Sequence, residues 1–293
     1  MDKTLIKIDP NYLERIETTN NLVSYFGDWI NDADLLKDKF INASPFEHIV
    51  IDNFLNETVA NELHNVFPTN FDDWHKYENP IEVKYAYDNM DKMDDKLKDY
   101  FYYLASDKVV DIFRKLTNIK DLTYDEYLHG AGLHCHPRHG KLNVHLDYEK
   151  HPITGKERRL NVIYFLSKDW KQEWNGQNEL WDKNAEKCVK KTDVVFNRAI
   201  IFKTNDITWH GLPEKITCPE FQYRKSLAFY YVSPLNSSPL NSLKPSNQYR
   251  NKAQYRSNDK NNMNLLKLCE IRANRRLTKE DIDTYYPNWT KEL

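Results

Sequence analysis

Apolar and polar positions divide the chain into three stretches of different rhythm. Residues 1 to about 44 are mostly polar, but Leu22, Val23, Phe26, Trp29 and Ile30 recur at helical spacing, which predicts a helical N-terminal extension with one face packed on a larger body. A β-type run follows at 46–52. Asn56 then offers an N-cap to a helix whose stripe is Val59, Ala60, Leu63, Val66 and Phe67, and Pro68 stops it. A second helical pattern covers about 93–117, through Leu97, Tyr100, Phe101, Leu104, Val109, Ile112, Phe113 and Leu116.

From about 121 to 235 short strand patterns dominate. The candidates are 133–137, 142–148, 160–167, 178–182, 194–202 and 226–232, separated by polar loops. Strands in this order, without intervening helices, predict a mainly β fold with flanking helices, an antiparallel sandwich or barrel rather than a βαβ repeat. After Ser233 the composition turns to Ser, Asn, Pro, Lys and Arg, so 233–264 reads as a linker or wrapping arm. A terminal helix is expected from about Asn264. Thr278, with Asp281 three positions on, predicts the capped start of another. The expected divisions are an extension over 1–44, a central domain over 45–235 and a C-terminal arm over 236–293.

Composition narrows the function classes. An apolar fraction of 40% and a charged fraction of 29% are those of a soluble globular protein, and a net charge of -2 argues against general affinity for polyanions. Seven glycines, with neither a G-x-x-x-x-G-K nor a G-x-G-x-x-G pattern, argue against a phosphate-cradling loop. The four cysteines, Cys135, Cys188, Cys218 and Cys269, include no C-x-x-C pair, so reduced thiols rather than structural zinc are expected. The N-terminal segment lacks the apolar core of a signal peptide, and no stretch approaches the roughly 20 apolar residues of a bilayer span. The expectation is a cytoplasmic protein with no membrane partner.

The candidate chemistry lies in the β region. In His145-Leu146-Asp147 the first and third side chains share one face of a strand, and His210 follows on a later one. Two histidines and one carboxylate can hold non-haem Fe(II) while leaving coordination positions open. An H-x-D alone is common by chance; its place on a strand, followed by 197–202 and a polar turn into Thr208-Trp209-His210-Gly211, gives it weight. Arg224 and Ser226 share a strand face by the same period of two. A guanidinium fork beside a hydroxyl suits a planar carboxylate, and apolar, aromatic neighbours favour a partly buried Arg224 that needs a partner. His134 and His136 form an H-x-H pair for which three readings stand: a second metal site, pocket-lining groups that hydrogen-bond a co-substrate or substrate, or solvent-facing side chains. Asn143 and Asn161, polar in otherwise apolar strands, are candidates to face the same cavity. Arg250, Lys252, Arg256, Lys260, Lys267, Arg272, Arg275 and Arg276 make the C-terminal arm basic, but no nucleic-acid motif accompanies them and the arm reads as solvated.

The order H-x-D, distal His and R-x-S resembles the Fe(II)/2-oxoglutarate-dependent dioxygenases, in particular their prolyl 4-hydroxylase-like branch. Residues 158–170, RRLNVIYFLSKDW, are similar to that branch's strand after the H-x-D loop. Residues 45–67, PFEHIVIDNFLNETVANELHNVF, are similar to its strand-helix entry. The resemblance spans about 45–235. It implies a double-stranded β-helix (jelly-roll, cupin-like) core and Fe(II) held by His145, Asp147 and His210. It further implies that Arg224, helped by Ser226, binds the distal carboxylate of 2-oxoglutarate, with His136 as a further co-substrate contact. O2 is the implied oxidant and ascorbate a candidate addition. Phe165 departs from the branch, which often carries a tyrosine there to touch the same carboxylate; Ser226 or another tyrosine is the candidate replacement. The implied activity is hydroxylation of an unactivated C–H bond, first of all in a prolyl residue of a protein or peptide, with release of succinate and CO2. A small metabolite, free amino acid, glycan or nucleic acid is the alternative substrate. A cupin-like metal- or sugar-binding module without catalysis is the alternative of another class.

Overall fold

Alternation within antiparallel strands decides what faces the cavity and what faces the helices. The structure is a computed structural model that describes residues 8–19, 22–237, 244–257, 259 and 261–292. Thirteen strands are present among them: β1 His48–Ile51, β2 His75–Glu78, β3 Glu82–Tyr87, β4 Thr123–Tyr124, β5 Gly132–His136, β6 Lys141–Leu146, β7 Glu157–Phe165, β8 Asn178–Trp181, β9 Cys188–Thr192, β10 Arg198–Lys203, β11 His210–Leu212, β12 Arg224–Ser233 and β13 Gln254–Tyr255. They follow the order β1-β10-β7-β12-β5-β3-β6-β11-β8-β9, with β2, β4 and β13 attached at β3, β12 and β6. The result is a mainly antiparallel, nearly closed barrel with flanking helices, the double-stranded β-helix architecture expected from the sequence.

Eight helices accompany the strands: α1 Pro10–Thr19, α2 Leu22–Tyr25, α3 Ala33–Ile41, α4 Glu57–Val66, α5 Asp95–Ala105, α6 Asp107–Thr117, α7 Met263–Asn274 and α8 Lys279–Tyr285. Leu133 and Cys135 of β5, Val162 and Tyr164 of β7, Ile201 of β10 and Leu227, Phe229 and Tyr231 of β12 join the main apolar cluster with Leu97, Phe101, Val109 and Phe113 of α5 and α6. Their alternates, among them His134, His136, Asn161, Ile163 and Ser226, line a cavity inside the barrel. One face of each strand is therefore oily and the other carries chemistry.

Several predicted boundaries move for local reasons. Asn56 caps α4, its side chain accepting from the Thr58 amide at 3.0 Å, and Thr278 with Asp281 forms a capping box on α8. The single helix expected over 93–117 is two, because Ser106 turns extended (ψ 144°) and gives its hydroxyl to the Tyr103 carbonyl. The strand expected over 194–202 begins only at Arg198. Asn197 before it sits at φ +62°, and its side chain bridges Leu55 N, Leu55 O and the Tyr164 hydroxyl. The N-terminal helical run is broken at Phe26, which bridges to Leu55, and Asp28–Asn31 continues as a 3-10 turn. The side chain of Val23 lies outside the described residues. The β2–β3 hairpin was not anticipated, although Val83, Tyr85 and Tyr87 alternate with Glu82, Lys84 and the small Ala86. All four cysteines are free, and among the described residues no helix is long and apolar enough to cross a membrane.

Asn197 ties the first strand-helix corner to β7 through three buried hydrogen bonds. Asn197→Ala is expected to destabilise the fold by about 2 kcal/mol or more, because it strands the Leu55 amide and carbonyl. A thermal-unfolding midpoint unchanged from the parent would refute this.

Candidate functional site

Register brings the two histidines together. His145 near the end of β6 lies directly opposite His210 at the start of β11, and their rings are 4.4 Å apart between centroids. Gly211 allows this approach, since a Cβ there would stand 2.8 Å from the Leu142 carbonyl oxygen. Asp147, two residues past His145, places Oδ1 3.7 Å from His145 Nε2 and Oδ2 3.4 Å from His210 Nε2. One ligand atom from each of the three side chains lies within 4.8 Å of the others, and among the described residues they form the one such group of histidines, cysteines and acids. His134 and His136 therefore stand outside any second cluster of this kind.

The hydrogen bonds select the useful tautomer. His145 Nδ1 donates to the Asn143 carbonyl and His210 Nδ1 to the Thr208 carbonyl, each at 3.0 Å. A carbonyl can only accept, so Nδ1 carries a hydrogen in each ring and Nε2 is the atom turned toward Asp147. Burial drives the His210 pKa down to about 4, with His145 adding to the shift, so its Nε2 lone pair is available at neutral pH. Phe202, 4.7 Å from the His210 ring, closes that side with an apolar wall.

Asp147 is held from behind. Asn161 Nδ2 donates to its Oδ2 at 2.8 Å, and the Arg158 guanidinium lies 3.2 Å from the same oxygen. Arg158 Nε in turn donates to Asn161 Oδ1 at 2.9 Å, and its guanidinium is stacked 3.3 Å over the Tyr230 ring. Burial opposes ionisation of Asp147, but Arg158, His210 and His145 outweigh it and hold the carboxyl well below the usual carboxylate range. Sequence reasoning pointed to Asn161 but assigned no role to Arg158. The register shift between Tyr231 and Val232 reverses the alternation of β7 at this point and turns Arg158 inward, which a pattern of period two does not foretell.

Arg224 is 2% exposed. Its Nε donates to the Gly176 carbonyl at 2.7 Å, Nη1 donates to Ser226 Oγ at 3.3 Å, and the guanidinium lies 4.9 Å over the Phe165 ring. Among the described residues no carboxylate forms an ion pair with it, and burial pulls its pKa down to about 10. Phe165 thus presents a ring face to the guanidinium, and Ser226 presents a hydroxyl to it. His136 is buried opposite Arg224 with both ring nitrogens unpartnered; burial and then Arg224 push its pKa well down. His134 is driven to about 3 by burial, Lys84 and Arg224, so both rings are neutral. His136, Arg224, Ser226 and the His145–Asp147–His210 group line one cavity of about 750 Å³.

The C-terminal arm, read from the sequence as a linker or wrapping arm, wraps at β13; what sequence reasoning missed is the strand it pairs with. Residues expected to be solvated pair as β13 with β6, opposing Tyr255 to His145 and stacking the two rings at 5.1 Å and 21°. Tyr255 donates its hydroxyl to Glu82 Oε2 at 3.3 Å, and Arg272 Nε donates to Glu82 Oε1 at 3.0 Å. Asn143, expected to face the cavity, instead donates to the Arg256 carbonyl at 3.2 Å and helps fasten the arm. Lys260 lies outside the described residues. Aromatic residues spaced through a polar tail, Tyr249 and Tyr255 among them, were the available signal that it packs.

Residues 131–232 match the model of the 2OG-Fe(II) oxygenase superfamily, an interval that contains every candidate site residue from His134 to Ser226. A prolyl 4-hydroxylase structure from Phytophthora capsici is similar over 93% of this chain and 85% of its own, at 15% identity and a TM-score of 0.50. A Pseudomonas putida prolyl-4-hydroxylase covers 69% of this chain and 98% of its own at 12% identity and a TM-score of 0.49. A Trichoplax adhaerens prolyl hydroxylase, solved with a hypoxia inducible factor peptide, covers 70% and 93% at 18% identity and a TM-score of 0.48. No curated protein matches the chain.

Removing the support behind Asp147 should loosen divalent metal. Asn161→Ala is expected to weaken Zn(II) or Fe(II) affinity by about tenfold, as second-layer hydrogen bonds to ligands do. Competition with a chromogenic chelator measures it, and an unchanged affinity would show that Asn161 has no such part.

Proposed function

We propose that this chain, a 2OG-Fe(II) oxygenase by its match over residues 131–232, hydroxylates an unactivated C–H bond, in the first place of a prolyl residue in a protein or peptide. His145, Asp147 and His210 hold Fe(II), Arg224 and Ser226 take the distal carboxylate of 2-oxoglutarate, and His136 adds a hydrogen bond to the co-substrate. The observation that carries this reading is Arg224. A fully buried guanidinium without a carboxylate costs too much to be retained for packing alone, and it lies in the same cavity as three side chains whose lone pairs converge. A metal- or sugar-binding module without oxygenase chemistry has no use for it.

The residues fit the metal and the co-substrate. Two imidazoles and one carboxylate are the donor set of a facial triad that leaves positions open. When bound, Fe(II) supplies O2 activation coupled to oxidative decarboxylation of 2-oxoglutarate to succinate and CO2. The protein's share is positioning and exclusion of water. Arg158 and Asn161 fix the Asp147 carboxylate, the Asn143 and Thr208 carbonyls orient the two rings, and Phe165 and Phe202 keep the interior dry. Tyr148, Tyr230 and Tyr255 add aromatic surface to the lining, although Arg158 and His145 already lie against their rings. The aromatic surface suits the prolyl reading drawn from the sequence segments at 45–67 and 158–170.

Two substitutions separate the roles. Asp147→Ala is expected to abolish 2-oxoglutarate-dependent succinate formation and the weak visible band that Fe(II) and 2-oxoglutarate give under anaerobic conditions; retained turnover would remove the metal assignment. Arg224→Ala is expected to raise the 2-oxoglutarate concentration for half-saturation about 100-fold while leaving metal affinity in place, since loss of a buried ion pair costs about 2–5 kcal/mol. An unaltered requirement would put the anchor elsewhere.

A further inference from the structure

Once the charges of the proposed reaction are assigned, one buried cation in the cavity is left with only a long ion pair to an acid that it shares. Arg158 faces Asp147, Arg272 is bonded to Glu82, and Arg224 awaits 2-oxoglutarate. Lys84 remains. On β3 the alternate residues Glu82, Lys84 and Ala86 line the cavity, with Ala86 paired opposite His134. The Lys84 side chain is only 15% exposed, and its ammonium makes no hydrogen bond among the described residues. It stands 3.9 Å from Glu82 Oε2, but Glu82 already accepts from Arg272 through one oxygen and from Tyr255 through the other. Its remaining neighbour is the Tyr77 ring at 5.2 Å.

Arg272 shares Glu82 with Lys84, and the exposed Arg276, just past α7, lies 5.6 Å over the Tyr77 ring with a 3.4 Å contact to the Tyr77 hydroxyl. Lys84 and Arg272 thus meet one buried acid, Glu82, and Arg276 adds a third cation to the lining where β3 and the end of α7 come together. A neutral substrate filling this space would cover the Lys84 ammonium without giving it an acceptor, which is costly.

We propose that Lys84, flanked by Arg272 and Arg276, holds a carboxylate of the substrate, and that the enzyme therefore acts on acidic substrates. The proposal rests on the cavity being the oxygenase's substrate site, and it adds a requirement to the prolyl reading: the reacting residue carries a carboxylate or lies next to one. That carboxylate belongs either to an acidic side chain beside the target in a peptide or to a small free acid. Tyr255 joins this wall to the metal strand through its stack on His145, so the C-terminal arm shapes specificity as well as covering β6.

The test uses the full chain loaded with Zn(II) and N-oxalylglycine, an unreactive stand-in for 2-oxoglutarate, and reads binding by calorimetry. The probes are matched acid and amide pairs: Ac-Ala-Pro-Asp-NH2 against its Asn counterpart, Ac-Ala-Ala-Asp-NH2 against its Asn counterpart, and L-proline against L-prolinamide. The acid member of at least one pair is expected to bind about tenfold more tightly or better. Lys84→Met and Lys84→Gln should erase that preference, Lys84→Arg should restore most of it, and N-oxalylglycine affinity should stay within about twofold throughout. The peptide and free-acid pairs distinguish the two sources of the carboxylate. An acid preference with equal affinity for the prolyl and proline-free acid peptides would sustain the anion site while removing the prolyl reading. Absence of acid preference in every pair, or weakening of N-oxalylglycine instead of the acid probe in Lys84→Met, would overturn the proposal.

Discussion

The opposition of His145 and His210 across the β6–β11 ladder is the constraint on which the rest of the site depends. Once the register sets these rings face to face, Asp147 is brought to both by a two-residue step, and the carbonyls of Asn143 and Thr208 leave only the Nε2 atoms pointing inward. A slip of one residue in either strand would turn a histidine out of the barrel, because successive side chains leave a strand on opposite sides. Gly211 is the small residue that makes the pairing physically possible.

Buried charge is the second theme, and it is arranged in layers. Asp147 is ionised because Arg158 and the two histidines offset the cost of its burial, and Arg158 is in turn braced by Asn161 and the Tyr230 ring. Arg224, by contrast, is braced only by a carbonyl, a hydroxyl and a ring. Such a group is electrostatically incomplete, and that is the ground on which Arg224 is proposed to take a carboxylate. The two arginines differ in that Arg158 is neutralised within the protein and Arg224 is not.

The C-terminal arm completes the site from a distance of more than 100 residues. β13 pairs the 145–146 end of β6 beyond the stretch that β3 covers, while Tyr255 stacks on His145. Helix α7 brings Arg272 to Glu82, and the Arg250 amide and carbonyl bond Glu149 and the amides after Asp147. Without β13 the end of β6 would leave unpaired backbone groups beside the reactive centre, so the same segment that pairs them also forms the wall of the cavity.

Much of this was legible in the residues in order. Alternation marked β5, β6, β7, β8 and β12, the spacing of His145, Asp147 and His210 marked the centre, and the period of two placed Arg224 beside Ser226, because each is a local consequence of strand geometry. The inward turn of Arg158, the pairing of a polar tail with β6 and the open cation at Lys84 were not legible. The first depends on a shift between two strands, the second on a contact across more than 100 residues, and the third on which acids were already engaged by other partners. Chemistry carried by neighbours along one strand is written in sequence; charge left over after distant elements have paired exists only in the folded chain.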